Sequence, residues 1–291
     1  MLYQDKIYGT HQIEGVLEAL IQTTTFQRLQ NVHQGGAVFL LHPTMNLTRF
    51  DHSIGVMLLI RYLGGSMEEQ IAGLLHDISH TAFSHVIDYV LDNQSEDYHE
   101  DRYPHVLNSS DIRAVLQQFG YQTDQFLDIE QYKLLEHPLP GLCADRIDYT
   151  LRDLCHYGEI SLQDVQWFLA GLMVMDQLII LSSKAHGIWF QKHYQLLVSK
   201  YFLGEQYQAL HEVVTVLFRQ YIKAGILTLQ DFHQDDLYVL DRIKEHTGEE
   251  FSTTVSTALT ADGTRAPIQQ KQRSVDPLIC TEEGYQPVSK L

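Results

Sequence analysis

The strongest constraint on the fold lies where an apolar segment ends in polar side chains. Residues 71–75 read Ile-Ala-Gly-Leu-Leu and predict a buried helix, and His76, Asp77 and His80 follow almost at once. Burying imidazole and carboxylate groups costs free energy unless hydrogen bonds or a cation compensate. For an isolated His-Asp pair, the simpler interpretation is a hydrogen-bonded core histidine beside a capping aspartate. Further histidines or carboxylates from other segments would favour a bound cation over this simpler interpretation.

Two other predicted helices carry such partners. Arg49 and His52 are three residues apart in R-F-D-H-S-I-G-V and therefore share a helical face. The segment A-D-R-I-D-Y-T-L-R-D places on one face Asp145, Tyr149 and Arg152, with Asp153 close by. Two histidines and two carboxylates from three helices can close around one divalent ion and leave positions open for water and substrate. A surface ion pair between Arg152 and Asp153 is the simpler alternative for those two residues.

Apolar spacing predicts α-helix over most of the chain, including a helix at 129–136, so we predict an all-α fold. The segments Leu172–Met175 and Leu178–Leu181 instead predict a β-hairpin with its turn at 175–177. From about Phe251, Ser, Thr, Gly, Pro and Gln dominate and the helical spacing stops. We therefore expect a helical core at 1–168, the hairpin and additional helices of the same domain at 169–250, and an irregular or extended tail at 251–291.

Composition narrows the class of protein. The formal net charge of the 291 residues is -17, which argues against general nucleic-acid binding but allows an anionic small molecule. The three cysteines, without a C-x-x-C pair, argue against a disulfide framework or a structural zinc site. The N-terminus has no signal-peptide pattern, and the longest apolar stretch, Trp167 to Met175, is too short to span a bilayer. We expect a cytoplasmic protein without membrane contact.

Three motifs in order carry a resemblance to a known family. They are R-F-D-H-S-x-G-V, then A-G-L-L-H-D-x-S-H-x-x-F-S-H, then A-D-R-x-D-Y-x-x-R-D. Together they resemble the HD-domain metal-dependent phosphohydrolases, and within them the branch of deoxynucleoside triphosphate triphosphohydrolases that includes the dGTPases. The resemblance runs with gaps from Asp5 to about Tyr157 and implies the helical bundle of an HD domain.

The resemblance also implies roles for single residues. It assigns one divalent ion (Mn, Fe, Mg, Ni, Co or Zn) to His52, His76, Asp77 and Asp145. It assigns acid–base chemistry to His80, His85, Asp88, His99 and Glu100. It assigns contacts with a nucleotide substrate to Gln34, Arg49, Arg146, Tyr149, Arg152, Asp153 and Lys184. It further implies a homo-oligomer, either a dimer or a tetramer.

Departures from the family pattern leave alternatives open. After the hairpin, the triphosphohydrolases carry basic and aromatic residues that contact the substrate, whereas this chain reads S-S-K-A-H-G-I-W-F at 182–190. One alternative is a nucleotide-binding regulatory or scaffold module with little catalysis. Another is a di-metal HD oxygenase, for which His80 and His99 offer additional ligands.

Overall fold

The computed structural model describes residues 1–260 and 273–290, and most of them are helical. The α-helices are α1 Gly15–Ile21, α2 Thr24–Gln27, α3 Arg49–Tyr62, α4 Met67–Leu75, α5 Val86–Val90, α6 Tyr98–Leu107, α7 Ser110–Gln118, α8 Ala144–His156, α9 Leu162–Ala170, α10 Lys184–Leu196, α11 Glu205–Lys223, α12 Asp236–Thr247 and α13 Phe251–Thr260. The strands are β1 Leu2–Asp5, β2 Gly9–Gln12, β3 Leu172–Met175, β4 Leu178–Leu181, β5 Leu278–Thr281 and β6 Gly284–Pro287. A π-helical segment, Leu197–Phe202, continues α10. The predicted all-α class is confirmed.

The centre of the molecule is α3, which packs against α4 and α8. The Thr48 side chain caps α3 by accepting a hydrogen bond from the Asp51 amide, and Ser66 caps α4 in the same way from Glu69. Most side chains of α3 are buried on all sides, which suits a helix enclosed by others. At Gly55 the approach to α8 is so close that a methyl group would overlap the side chains of Arg152 and Asp148.

Two hydrophobic clusters meet at the His-Asp segment. The larger cluster includes residues of α1, α3, α4, α8 and α10, and Ile78 belongs to it. The smaller cluster gathers α5, α11, α12 and α13 around Phe218, and Ala82 and Phe83 belong to it. The turn from 76 to 85 therefore connects both cores, and its polar side chains lie where the two clusters join.

The predicted hairpin is confirmed in both its strands and its register. Leu172 pairs with Leu181 and Met175 with Leu178. Asp176 and Gln177 form a two-residue turn with φ values of 50° and 63°, a left-handed conformation that these turns require and that asparagine or glycine usually supplies. Strand β5 then adds parallel to β4, and β6 pairs with β5, giving a sheet of order β3-β4-β5-β6.

The structure corrects two local predictions. The tail expected to be irregular from Phe251 begins as helix α13, because Phe251 and Val255 pack into the smaller cluster although serine and threonine are weak helix formers. A helix expected at 129–136 is only a 3₁₀ turn, Ile129–Gln131. The part of the tail at 261–272 lies outside the described residues. In the part of the chain that is described, every helix is too short or too polar to cross a lipid bilayer.

Candidate metal centre and histidine triad

Three helices bring four predicted ligands to one place. His52 lies in the first turn of α3, His76 is the C-cap of α4 with Asp77 directly after it, and Asp145 lies in the first turn of α8. His52 Nε2 is 2.9 Å from Asp145 Oδ1 and 3.7 Å from Asp77 Oδ2. His76 Nε2 is 3.5 Å from both Asp77 Oδ1 and Asp145 Oδ1. We call these four residues the metal cluster.

The orientation of His76 fits a cation. Its Nδ1 is 2.8 Å from the carbonyl oxygen of Gly73, so that nitrogen must carry the proton and donate it. Its Nε2 is buried and forms no hydrogen bond within the described residues, although two carboxylates are near. A buried ring nitrogen facing carboxylate oxygens is expected where a divalent ion lies between them, and an imidazole and carboxylate set suits first-row divalent metals.

A buried ion network holds His52 from behind. His52 Nδ1 lies 2.8 Å from Asp148 Oδ2, and the Asp148 carboxylate also accepts two hydrogen bonds of 2.9 Å from Arg152. Arg152 forms a further ion pair of 3.0 Å with Asp5. The alternative of a surface ion pair between Arg152 and Asp153 is therefore wrong, since both residues are buried and Arg152 is paired with Asp148 and Asp5. The structure does not bring the Arg152 guanidinium to the metal cluster.

Charges inside the cluster are strongly coupled. Burial lowers the pKa of His52, but hydrogen bonds with Asp145 and Asp148 outweigh it and raise this pKa to about 10. Burial works against the charged form of Asp145 as well, yet its hydrogen bond with His52 and the nearby ring of His76 hold its pKa well below the usual range. His52 thus carries the compensating positive charge until a divalent cation replaces its proton.

Arg49 connects the metal cluster with Ser84, the residue after Phe83 of the smaller hydrophobic cluster. Its Nη1 donates to Asp77 Oδ2 at 2.7 Å and its Nε to Ser84 Oγ at 3.1 Å. Ser84 in turn donates to the backbone oxygen of His33, whose ring Nδ1 lies 2.7 Å from the buried Asp236. The guanidinium of Arg49 is therefore fixed beside the cluster, where it can contact a phosphate group.

Three histidines form a second group next to the metal cluster. The rings of His80 and His99 are stacked with centroids 3.9 Å apart, and His85 meets both edge-on at 5.0 and 5.2 Å. His80 Nε2 is 3.2 Å from Asp77 Oδ1, which joins the two groups. Each of the three offers a ring nitrogen within 4.8 Å of the others. We call them the histidine triad.

The three histidines of the triad differ in their burial and in the charged groups that surround them. Burial first, and then the charge of His85, lowers the pKa of His99 to about 3, and burial with the charge of Arg49 holds the pKa of His80 well below its usual value. His85 differs because its Nδ1 lies 3.1 Å from Asp88 Oδ2. Asp88 is buried and also accepts from Asn93 Nδ2 and the Tyr98 amide. His85 is thus oriented through Nδ1 by a carboxylate outside the metal cluster, whereas His80 contacts Asp77 within it.

The other predicted substrate residues divide into two sets. The Tyr149 ring lies 6.4 Å from the ring of His52, and the buried atoms Asp153 Oδ1 and Gln34 Oε1 have no hydrogen-bond partner among the described residues. Burial raises the pKa of Asp153 to about 7. Arg146 instead donates to the backbone oxygens of His137 and Gly141. Glu100, at the start of α6, and Lys184, at the start of α10, are exposed.

Sequence reasoning missed three residues near the site. Asp148 and Asp236 position His52 and His33, and Asp148 could have been recognised because it lies three residues after Asp145 on α8. Arg273 pairs with Glu96 at 2.8 Å, and its guanidinium carbon lies 5.6 Å from the centroid of the Phe202 ring. Nothing in the local sequence around Arg273 indicated this position, because it depends on how the tail folds back.

Fold and site together define an HD-domain protein. The family model described as HD domain matches residues 49–153, the range that carries α3, the His-Asp segment and most of α8. A solved structure of a hypothetical protein from Aquifex aeolicus superposes with a TM-score of 0.74 over 100% of this chain and 91% of that chain, and at 19% identity this likeness concerns the fold alone.

Sequence relatives place the chain more closely. It belongs to one family with the uncharacterized protein YdhJ of Bacillus subtilis, which is 41% identical over 98% of this chain and 90% of that protein. The metal-dependent phosphohydrolase cns2 of Cordyceps militaris is 40% identical over 59% of this chain, which spans 50% of that relative. The deoxynucleoside triphosphate triphosphohydrolase SAMHD1 of Danio rerio is 27% identical over 58% of this chain and 35% of its own length.

Proposed function

We propose that this protein hydrolyses a phosphoester or phosphoanhydride bond of a nucleotide with the help of one divalent metal ion. A deoxynucleoside triphosphate is the first candidate substrate, since SAMHD1 is named for that activity. The observation that carries the proposal is the convergence of His52, His76, Asp77 and Asp145 directly beside the histidine triad. Hydrolysis of a phosphate ester requires a metal-activated water and a proton donor, and the two groups offer both.

A metal ion held by the cluster would neutralise phosphate oxygens and lower the pKa of a bound water. The chain contributes the rest. Arg49, fixed by Asp77 and Ser84, presents a planar cation to the phosphate. His85 is oriented through Nδ1 by Asp88, which leaves Nε2 as the position that gives a proton to the leaving oxygen. Asp148 holds the His52 ring in one orientation.

The sugar of the nucleotide is the part that the remaining residues are placed to recognise. Asp153 Oδ1 and Gln34 Oε1 are buried acceptors without a partner among the described residues, and sugar hydroxyl groups would satisfy them. Tyr149 offers a ring and a hydroxyl group that already contacts Tyr194 at 3.3 Å. Arg273, next to Phe202, offers a cation to the substrate. In the segment after the hairpin, 182–190, the lysine that could do so is the exposed Lys184.

Turnover measurements test the proposal. Purified protein is loaded in turn with Mn²⁺, Fe²⁺, Mg²⁺, Co²⁺ or Ni²⁺ and supplied with deoxynucleoside triphosphates, nucleoside triphosphates, monophosphates and cyclic nucleotides. We expect hydrolysis that an Asp77→Ala variant lacks. Release of inorganic triphosphate identifies a triphosphohydrolase, and release of single phosphates identifies a nucleotidase or pyrophosphatase. Tight nucleotide binding with turnover no higher than the variant's would instead support a regulatory module.

A second candidate function has one specific observation in its favour. The ring nitrogens of His80, His85 and His99 lie within 4.8 Å of one another, so the triad itself has the geometry of a ligand set beside the metal cluster. Two ions in one site would favour the di-metal oxygenase alternative. Elemental analysis decides between them, because one metal ion per chain contradicts that alternative and two iron ions per chain support it.

The assembly state is also part of the proposal. We expect a homo-oligomer, a dimer or tetramer, in keeping with the family to which the three motifs point. Light scattering of the purified full chain, whose monomer mass is 33.5 kDa, measures this directly. A mass of one chain would contradict the expectation.

A further inference from the structure

A cleft of about 670 Å³ reaches the His-Asp segment at Ser79. It is bounded by α2, α6 and residues 233–235, and its lining includes none of the metal cluster and none of the triad. Arg28, Arg102, His105 and His233 all line it. Four basic side chains around one cleft are unexpected in a chain with a formal net charge of -17.

Arg28 is fixed at the floor of this cleft. Its Nη1 donates to the backbone oxygen of Gln234 at 2.9 Å. Its Nη2 donates to the backbone oxygens of Ile78 and His80 at 2.9 and 2.7 Å. These acceptors are neutral, so the hydrogen bonds hold the guanidinium in place without neutralising its charge. The same bonds connect the cleft with the turn that carries Asp77.

Arg102 faces the cleft from α6. Its Nη1 lies 2.7 Å from His233 Nε2, which must accept the hydrogen bond from a neutral ring, and its Nε is buried without a partner among the described residues. Burial and then the positive charges of Arg102, Arg28 and His105 lower the pKa of His233 to about 4. The pKa of Arg28 is lowered by burial and by the charge of Arg102.

One carboxylate, that of Asp235, also lines the cleft. The Asp235 carboxylate accepts hydrogen bonds from Asn31 Nδ2 at 3.1 Å and from the Tyr238 amide, which it caps at the start of α12. Among the ion pairs of residues 1–260 and 273–290, none involves Arg28 or Arg102 within 4.0 Å. Two guanidinium groups that stay charged at every physiological pH thus line one cleft, and the nearby charges of Asp235 and Asp236 act on Arg28 without forming an ion pair with it within 4.0 Å among the described residues.

We propose that this cleft binds the phosphate group of a small anionic molecule, at a site separate from the metal centre. Arg102 and Arg28 supply the charge, and the side-chain amides of Asn31 and Asn108, each of which has a second N–H on Nδ2, supply further hydrogen bonds. A bound phosphate offsets the repulsion between the charges of Arg28 and Arg102, and so favours the position in which Arg28 donates to the backbone oxygens of Ile78 and His80. Occupation of the cleft is in this way coupled to the turn that carries the catalytic residues.

Hydrogen exchange of the chelator-treated full chain tests the site without requiring turnover. Inorganic pyrophosphate is the first probe, and adenosine methylene-diphosphate is the second, so that free phosphate and nucleotide are distinguished. We expect protection of amides in residues 24–31, 102–109 and 233–235, and weaker protection at 78–80. Equal protection by both probes assigns the site to the phosphates alone, and stronger protection by the second includes the nucleoside; both support the site.

Variants give the matched comparison. Arg102→Ala should weaken pyrophosphate binding about 10- to 100-fold by calorimetry, the range for losing a charged hydrogen bond, and Arg102→Lys should fall between it and the wild type. The exposed Arg113→Ala on α7 serves as the control for lost charge and should bind as the wild type does. Protection confined to 49–53, 76–77 and 145–153, or an unchanged affinity of Arg102→Ala, would overturn the proposal.

Discussion

At the residue scale, each ligand imidazole is held through its other ring nitrogen. His52 is held by the Asp148 carboxylate and His76 by the Gly73 carbonyl oxygen. Such partners fix the tautomer and the ring direction, and a carboxylate partner also makes the imidazole a stronger base. Asp148 can remain charged in the core because Arg152, itself paired with Asp5, neutralises it.

Asp148→Asn should weaken metal binding without removing a ligand. The amide keeps the shape of the side chain but lacks the negative charge that supports His52, so we expect the metal dissociation constant to rise about 10- to 100-fold. Competition with a fluorescent chelator measures this constant. Asp241→Asn on the exposed face of α12 is the control for charge. Equal affinities of both variants and the wild type would show that Asp148 has no such role.

His211 should make the fold sensitive to acid. Burial lowers its pKa from an ordinary 6.5 to about 4, while its Nε2 contacts the Gly35 carbonyl oxygen. Between those two values the unfolded chain binds a proton that the folded chain does not, so stability falls as the pH drops through this window. Urea unfolding at pH 7 and pH 5 should show a smaller loss for His211→Asn than for the wild type. An identical loss would contradict this assignment.

The four residues of the metal cluster could be identified from the sequence because their residue types stand in three ordered motifs. The structure brings those side chains together, whereas the roles of Arg152 and Arg146 depended on neighbours that the local pattern does not reveal. Arg152 shares a helical face with Asp145, but Asp5, far away in sequence, draws its guanidinium to the other side of His52. Contacts between distant segments decide which of several polar residues on one helix face the site.

At the element scale, the crossing of α3 and α8 determines the position of His52 relative to Asp145. Gly55 permits this crossing because its missing side chain leaves room for the Arg152–Asp148 pair. The caps at Thr48 and Ser66 set where α3 and α4 begin, and so which residues reach the cluster.

Gly55→Ala should separate the two helices. The added methyl group would overlap the buried ion pair, and overpacking of this kind costs about 1–3 kcal/mol of folding free energy. We expect a lower midpoint of urea unfolding and weaker metal binding in the folded fraction. Gly35→Ala is the control, since its methyl group would meet only Val38 at 3.7 Å. A Gly55→Ala protein as stable as that control would contradict the packing described here.

The spacing of apolar residues predicted the hairpin of β3 and β4 but did not predict helix α13. The hairpin of β3 and β4 follows from two apolar runs separated by two residues, a signal confined to ten positions. Helix α13 has a sequence of serine and threonine that favours other conformations, and it is helical because Phe251 and Val255 find partners on α11 and α12. Helices stabilised mainly by distant partners are the ones that local spacing misses.

At the scale of the whole molecule, the metal cluster lies where the two hydrophobic clusters meet. Ile78, directly after the His-Asp pair, packs in the larger cluster, and Phe83 of the same turn packs in the smaller one. A cation bound by α3, the end of α4 and α8 would therefore tie together elements far apart in sequence. Its binding free energy adds to the stability of the folded state alone.

Removal of the metal should lower the melting temperature of the whole chain. A metal ion at about 100 times its dissociation constant stabilises the folded state by about 2.7 kcal/mol. At about 2 °C per kcal/mol, this is a shift of about 5 °C for a chain of this size. Calorimetry with Mn²⁺ and after chelation measures it, and Asp77→Ala should show almost no shift. A shift of equal size in that variant would place the ion elsewhere.

The convergence of four ligands on a single cation is tested most directly by anomalous diffraction from crystals loaded with Mn²⁺. We predict a strong peak about 2.2 Å from His52 Nε2, His76 Nε2 and one oxygen each of Asp77 and Asp145. A map without a peak between these side chains, or with its strongest peak at another place in the chain, would contradict the metal centre and the hydrolytic function built on it.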